Sequence, residues 1–180
     1  MEIQELPLSG LLLLRTPLFE DDRGSFSETY RQEVFSSRVL PETHFVQDNE
    51  SRSKRAVFRG LHYQLPPAAQ AKLVRVVFGS ILDVVVDIRA DSPSFGKSEI
   101  VELSDRNRLA LFVPPGFAHG FLSLEDNTLV QYKTSSYYNP KAERSIHHSC
   151  VSHDWPIPRE AWIVSSKDQV ASSLDEADLF

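Results

Sequence analysis

Through most of the middle of this chain, large apolar residues alternate with polar ones at the two-residue period of a β-strand. Ala56-Val57-Phe58-Arg59-Gly60-Leu61-His62-Tyr63-Gln64-Leu65 reads as one such strand. Val74–Phe78 and Ile81–Ile88 are β-branched runs on either side of Gly79-Ser80, which predicts a hairpin. Asp91–Gly96 is rich in turn formers and reads as a loop. Glu99–Leu103 alternates again, Ser104–Asn107 turns the chain, and Leu109–Val113 runs until Pro114-Pro115-Gly116 breaks it. Phe121–Leu124 and Leu129–Thr134 predict a second hairpin around Glu125-Asp126-Asn127.

Helical signals are weak: one short helix over Arg31–Phe35 and a turn of another over Pro158–Val164. Many short, evenly spaced strands argue for an all-β sandwich or barrel. No stretch separates two cores, so residues 1–180 read as one domain with a barrel from about 45 to 135. The first thirty or so residues and the last thirty read as additions to it. The terminal segment, with Trp155, Trp162 and several prolines, is expected to pack on the barrel.

Composition narrows the function classes. At 41% hydrophobic the chain can fill a core, and its formal charge of −6 argues against broad affinity for nucleic acid or membranes. A local basic pocket is still open, because Arg52, Lys54, Arg55 and Arg59 cluster, followed by Lys72 and Arg75. The single cysteine, Cys150, excludes an intramolecular disulfide and fits a reducing cytoplasm. The first residues lack the basic-then-apolar pattern of a signal peptide, and Leu11–Leu14 is too short to cross a bilayer.

The candidate chemistry centres on Arg59-Gly60-Leu61-His62-Tyr63-Gln64. A strand histidine can serve as a proton acceptor. Arg59 offers a planar fork for a phosphate, and Lys72 a point charge for a developing oxyanion.

These residues, with Asp22-Arg23-Gly24-Ser25-Phe26 and Glu28, Phe45–Asn49, Ala71–Val76, Asp83–Asp87, Pro114–Phe121 and Tyr132-Lys133-Thr134 followed by Tyr137-Tyr138, resemble the dTDP-4-dehydrorhamnose 3,5-epimerase family. The resemblance runs in order from about residue 8 to about 170. It implies a dimeric cupin-type jelly roll that needs no metal or dissociable cofactor. The implied reaction inverts two carbons flanking a ketone in a nucleotide-linked hexose. That demands a base on one face, a holder for the enolate oxygen and an acid on the other face. By resemblance His62 is the base, Asp168 orients and charges its imidazole, Lys72 faces the oxyanion and Tyr132 is the acid. A phenol's ordinary pKa of about 10 suits that acid, and a nearby lysine could lower it further. Arg23, Phe26, Glu28, Gln47, Asn49, Arg59, His119, Tyr138, Glu143 and Lys167 fall at positions used for the nucleotide-sugar. Arg23 and Arg59 would neutralise the diphosphate, Glu28 would accept from the base's imide N–H, and Tyr138 would stack on the base. The resemblance also implies that the N-terminal arm crosses to a partner subunit, carrying Arg23, Phe26 and Glu28 into its site.

Many cupins hold iron or manganese through a His-x-His pair, a glutamate and a later histidine. Here the first motif reads His62-Tyr63-Gln64, so a ligand is replaced, and His62 with His119 alone falls short of a first-row metal site. His147 and His148, adjacent and therefore expected to point apart on a strand, make a weak metal candidate with His153. The stretch 146–156 departs from the family pattern. Three rivals stand beside the double epimerase: a single-centre epimerase on a related 4-keto-6-deoxy sugar, a catalytically silent sugar-binding cupin, and a metal-dependent dioxygenase, which Gln64 disfavours.

Overall fold

The computed structural model describes residues 1–39 and 43–180. Its strands, in chain order, are β1 (Glu2–Glu5), β2 (Leu12–Arg15), β3 (Phe19–Asp21), β4 (Gly24–Phe26), β5 (Gln47–Ser53), β6 (Val57–Gln64), β7 (Lys72–Phe78), β8 (Ser80–Asp87), β9 (Ser98–Ser104), β10 (Leu109–Val113), β11 (Phe117–Ser123), β12 (Thr128–Thr134), β13 (Glu143–Ser145) and β14 (Ile163–Val164). Two helices accompany them, α1 (Gln32–Arg38) and α2 (Ser166–Gln169). Among the described residues no helix is long and apolar enough to cross a membrane.

The strands form two main sheets. The first has the order β1-β2-β10-β7-β12-β5; the second has β13-β6-β11-β8-β9, with β14 parallel against β6. From β5 to β8 the chain changes sheet at every step. It stays in the second sheet for β9, then alternates again to β13. This alternation is what makes a jelly roll, and the all-β expectation holds.

The alternation overturns both hairpins read from the sequence. β7 pairs with β10 and β12, while β8 pairs with β9 and β11. Gly79, at φ +82°, is a corner between sheets. β11 and β12 likewise part at Asn127, which sits at φ +58°. Turn formers report that the chain reverses, not which sheet the next strand joins. In this part of the chain the within-sheet hairpin is β8–β9, closed by the loop that includes Asp91–Gly96, while β1–β2 and β3–β4 make others nearer the N-terminus.

Between the sheets, Leu11, Val74, Val76, Ile81, Val85, Leu103, Leu111 and Val130 form one buried cluster. Val84, Val86, Leu122 and Phe58 face the opposite way and meet Ile146, Val151, Ile157, Trp155 and Trp162 from the terminal segment. β8 is thus covered on both faces, which accounts for its consecutive apolar residues on either side of Asp83. The terminal segment packs as expected, with Trp162 stacked on Phe58 at 4.8 Å. At the other end β1 and β2 extend the first sheet through β10. The expected helix over Arg31–Phe35 is α1, and its Phe35 is buried with Leu14, Leu73 and Phe112. The expected turn near Pro158 is a 3₁₀ turn at Arg159–Ala161 followed by β14.

Candidate active site

A cavity of ≈ 630 Å³ opens between the sheets. His62, Arg59 and His119 line it from β6 and β11, Lys72 and Tyr132 from β7 and β12, and Lys167 and Asp168 from α2. An adjoining recess of ≈ 160 Å³ shares His62, Lys72 and Tyr132 and adds Gln47, Asn49, Tyr138 and Glu143.

Backbone packing sets the position of His62. It lies directly across the ladder from His119, and the register slips between His119 and Phe121. At that slip Gly60 and Gly120 press together; a Cβ on Gly60, at φ +123°, would sit 2.6 Å from the Gly120 Cα. A larger residue would force β6 and β11 apart. α2 then delivers Asp168 beneath the imidazole. Its cap, Ser165, accepts a 3.2 Å hydrogen bond from the Asp168 N–H.

The contact between His62 Nε2 and Asp168 Oδ1 is 2.6 Å. The Asp168 side chain is 4% exposed and that of His62 32%. Nδ1 is the ring nitrogen left without a partner among the described residues. Burial by itself raises the Asp168 carboxyl, but hydrogen bonding and charge from His62, with hydrogen bonds from Ser165 and the Gly60 N–H, hold it below the ordinary carboxylate value. A buried carboxylate in this position fixes the tautomer and the orientation of the imidazole.

On the opposite wall Lys72 is 8% exposed and donates from Nζ to the His62 carbonyl at 3.1 Å. Burial lowers its pKa to about 8, against the charges of Asp83 and Glu143. Tyr132 does not show the lowered phenol expected from its sequence setting. Burial pushes it above its ordinary value, with Arg59 lowering and Glu143 raising it. It therefore keeps its proton at neutral pH.

The remaining cavity residues are braced. Glu143 accepts from Lys167 at 2.5 Å and from the Tyr138 hydroxyl at 2.9 Å. Burial raises the Glu143 carboxyl, and these two bonds with the charges of Lys167 and His62 bring it below its usual range. The Tyr138 N–H donates to Gln47 Oε1, and Gln47 Nε2 donates to Asn49 Oδ1 at 2.8 Å. Arg59 donates to Ser53 Oγ at 3.2 Å and to the Arg52 carbonyl at 3.3 Å. Among the described residues it has no carboxylate within salt-bridge range, so its charge is open to an anion.

Arg23, Phe26 and Glu28 are not in this cavity. β3 and β4 form a separate exposed ribbon. Arg23 pairs with Asp21 there, and Glu28 pairs with Arg31 at 2.5 Å. Phe26 and Glu28 line a distinct apolar pocket of ≈ 310 Å³ with Tyr30 and Phe35.

Gln64, standing where a metal-binding cupin has a ligand, spends its amide on the Ala68 and Tyr137 carbonyls and the Asn139 N–H. The two adjacent histidines do not point apart: they stand at a 3₁₀ turn with ring centroids 4.2 Å apart. His147 Nδ1 accepts from the Ser149 N–H, and Arg159 donates to His148 Nδ1 at 2.8 Å. Burial, His147 and Arg159 together lower His148 to about 4, Asp168 opposing.

Asp83 has no role assigned by the sequence, yet it braces the cavity-lining His119. It is fully buried and holds His119 Nε2 at 3.0 Å through both carboxylate oxygens. Its signal was present: a charged residue inside a β-branched run on a strand buried on both faces.

Comparison with known proteins gives the family of the chain. Residues 5–176 match the family described as dTDP-4-dehydrorhamnose 3,5-epimerase. The chain is 42% identical to the dTDP-4-dehydrorhamnose 3,5-epimerase of Shigella flexneri, over 100% of this chain and 99% of that one. The crystal structure of the corresponding epimerase from Sulfolobus tokodaii superposes with a TM-score of 0.92 at 42% identity, covering 99% and 98% of the two chains. A dTDP-6-deoxy-D-glucose-3,5-epimerase from Legionella pneumophila, solved in complex with dTDP-4-keto-L-rhamnose, gives 0.93 at 38% identity over 98% and 94%. With the family matched over nearly all of its length, this chain belongs to the dTDP-4-dehydrorhamnose 3,5-epimerases.

Proposed function

We propose that this protein inverts C3 and C5 of dTDP-4-dehydro-6-deoxy-D-glucose, giving dTDP-4-dehydro-L-rhamnose, by acid–base enolisation. The observation that carries the reading is the division of labour between the cavity walls. His62, with its 2.6 Å contact to Asp168, stands on the second sheet, and Tyr132 stands on the first. A sugar ring held between them presents one face to a base and the other to an acid.

His62 takes the proton beside the ketone through Nδ1, and Asp168 stabilises the imidazolium that forms. The Lys72 ammonium meets the charge that moves onto the ketone oxygen. The Tyr132 phenol, kept protonated by burial, returns a proton to the opposite face. Each inversion uses base and acid once; His62 then gives its proton to solvent and Tyr132 regains one from it, and the same sequence at the second flanking carbon completes the reaction. Arg59, free of a carboxylate, neutralises the diphosphate, while Tyr138 and Glu143 at the rim meet the nucleoside. No step calls for a metal or dissociable cofactor, and the lone Cys150 suits a cytoplasmic enzyme.

The protein works as a homodimer with the arm exchanged. In support, the β3–β4 ribbon leaves Phe19 62% and Phe26 68% exposed, and holds Arg23 and Glu28 outside their own chain's cavity. Mixing Arg23→Ala with His62→Ala subunits tests this. Random pairing restores about a quarter of wild-type activity, because half the dimers then hold one intact site. No restoration means that the arm serves its own chain.

The activity itself is tested by NMR on dTDP-4-keto-6-deoxyglucose. Wild-type enzyme converts it and His62→Asn does not; conversion at the wild-type rate by His62→Asn removes the imidazole from the mechanism.

A further inference from the structure

β5 is built almost wholly of polar residues, yet its burial alternates like that of any half-covered strand. Gln47, Asn49, Ser51 and Ser53 face inward; Asp48, Glu50 and Arg52 face outward. Three of the four inward side chains are engaged within the fold. Gln47 and Asn49 bond each other at 2.8 Å, and Ser53 Oγ accepts from Arg59 at 3.2 Å. Ser51 is the exception. Its Oγ is shut off from solvent and has no hydrogen-bond partner among the described residues.

Buried hydroxyls in folded proteins are almost always bonded, and one left alone weakens the fold. Ser51 also lines the same cavity as His62, Lys72 and Tyr132. On the paired strand it stands opposite Val130, two positions from Tyr132. The residue as a whole is only partly buried although the oxygen is hidden. Rotation about Cα–Cβ, between staggered positions, moves the oxygen toward the open side.

We propose that Ser51 is a substrate-binding residue whose hydroxyl turns into the cavity and donates a hydrogen bond to an oxygen of the hexose diphosphate, between the Arg59 anion clamp and the reacting carbons. This rests on the epimerase reading given above. A hexose hydroxyl and a phosphate oxygen are the two acceptors within the same chemistry.

The test is Ser51→Ala. Without the lone hydroxyl the variant melts at or above the wild-type temperature, while kcat/KM for dTDP-4-keto-6-deoxyglucose falls about tenfold, the loss of one hydrogen bond to substrate. Competitive inhibition by dTDP then identifies the acceptor: weaker inhibition means a phosphate oxygen, and unchanged inhibition means a hexose hydroxyl. Unchanged kcat/KM in the folded variant overturns the contact. So does a loss of activity that tracks a lower melting temperature, since the hydroxyl then has its partner inside the fold. An inactive wild-type enzyme overturns the epimerase reading and this contact with it; an active wild type beside an unimpaired Ser51→Ala overturns the contact alone.

Discussion

Replacing Lys72 by methionine separates what this amine does for the reaction from what it does to the fold. Burial brings its pKa from 10.5 to about 8. It is therefore mostly charged at pH 7, in a place that disfavours the charge. A drop of about 2.5 pH units corresponds to roughly 3 kcal/mol. The depressed value means that the unfolded chain holds this proton more tightly between pH 8 and 10.5. Stability consequently rises with pH across that window, and the burden is present in full below it. Methionine removes the burden but also the 3.1 Å bond to the His62 carbonyl, worth about 1 kcal/mol. The net gain at pH 7 is about 2 kcal/mol, or roughly 4–8 °C in melting temperature for a chain of this size. Loss of the oxyanion partner lowers kcat by about 10²–10³. Thermal unfolding followed by circular dichroism at pH 7 and pH 10, with epimerisation followed by NMR, measures both. The variant melts higher at pH 7, and the gap narrows toward pH 10 as the wild type recovers. A Lys72→Met protein less stable than wild type at pH 7, or one that turns over normally, refutes the reasoning.

Asp168→Asn keeps the shape beneath the imidazole and removes the charge, so kcat falls about 10²–10⁴ with a smaller change in KM, read from initial rates. Because the folded carboxyl is held below its ordinary 3.8, its contribution to stability is present above that value and lost as pH falls through the lower folded one; acid titration of unfolding shows this leg in wild type and not in the variant. Tyr132→Phe leaves the base in place, so hydrogens beside the ketone still exchange with solvent, but protons return to the face they left and NMR shows exchange without inversion. His148 is lowered to about 4 from an ordinary 6.5, so wild-type stability declines as pH falls between those values. His148→Gln flattens that decline in denaturant titrations at pH 7, 5.5 and 4.

Hydrophobic patterning reads the strands that fill a core and passes over those that serve a cavity. β8 is legible because both its faces are apolar-packed, around Val84 and Val86 on one side and Ile81 and Val85 on the other. β5 is not, since its inward-facing Gln47, Asn49 and Ser51 line the cavity and its recess and so need no apolar periodicity. Gly79 and Asn127 mark reversals correctly but carry no information about sheet identity, which is decided by distant pairing with β9, β10 and β5. The His62–Asp168 contact joins residues 106 apart and has no local signature; it came from family resemblance, and the geometry supplies the 2.6 Å distance. Arg23, Phe26 and Glu28 rest on the same resemblance, and the single chain leaves them away from the cavity.

The central claim is that one imidazole and one phenol on opposing walls move protons on and off carbon beside a ketone. The most direct measurement is deuterium uptake from heavy water into dTDP-4-keto-6-deoxyglucose, followed carbon by carbon by NMR. The account predicts label at both C3 and C5 with inversion at each, abolished by His62→Asn. Label at one carbon alone makes the protein a single-centre epimerase, and tight binding with no label at all contradicts the mechanism.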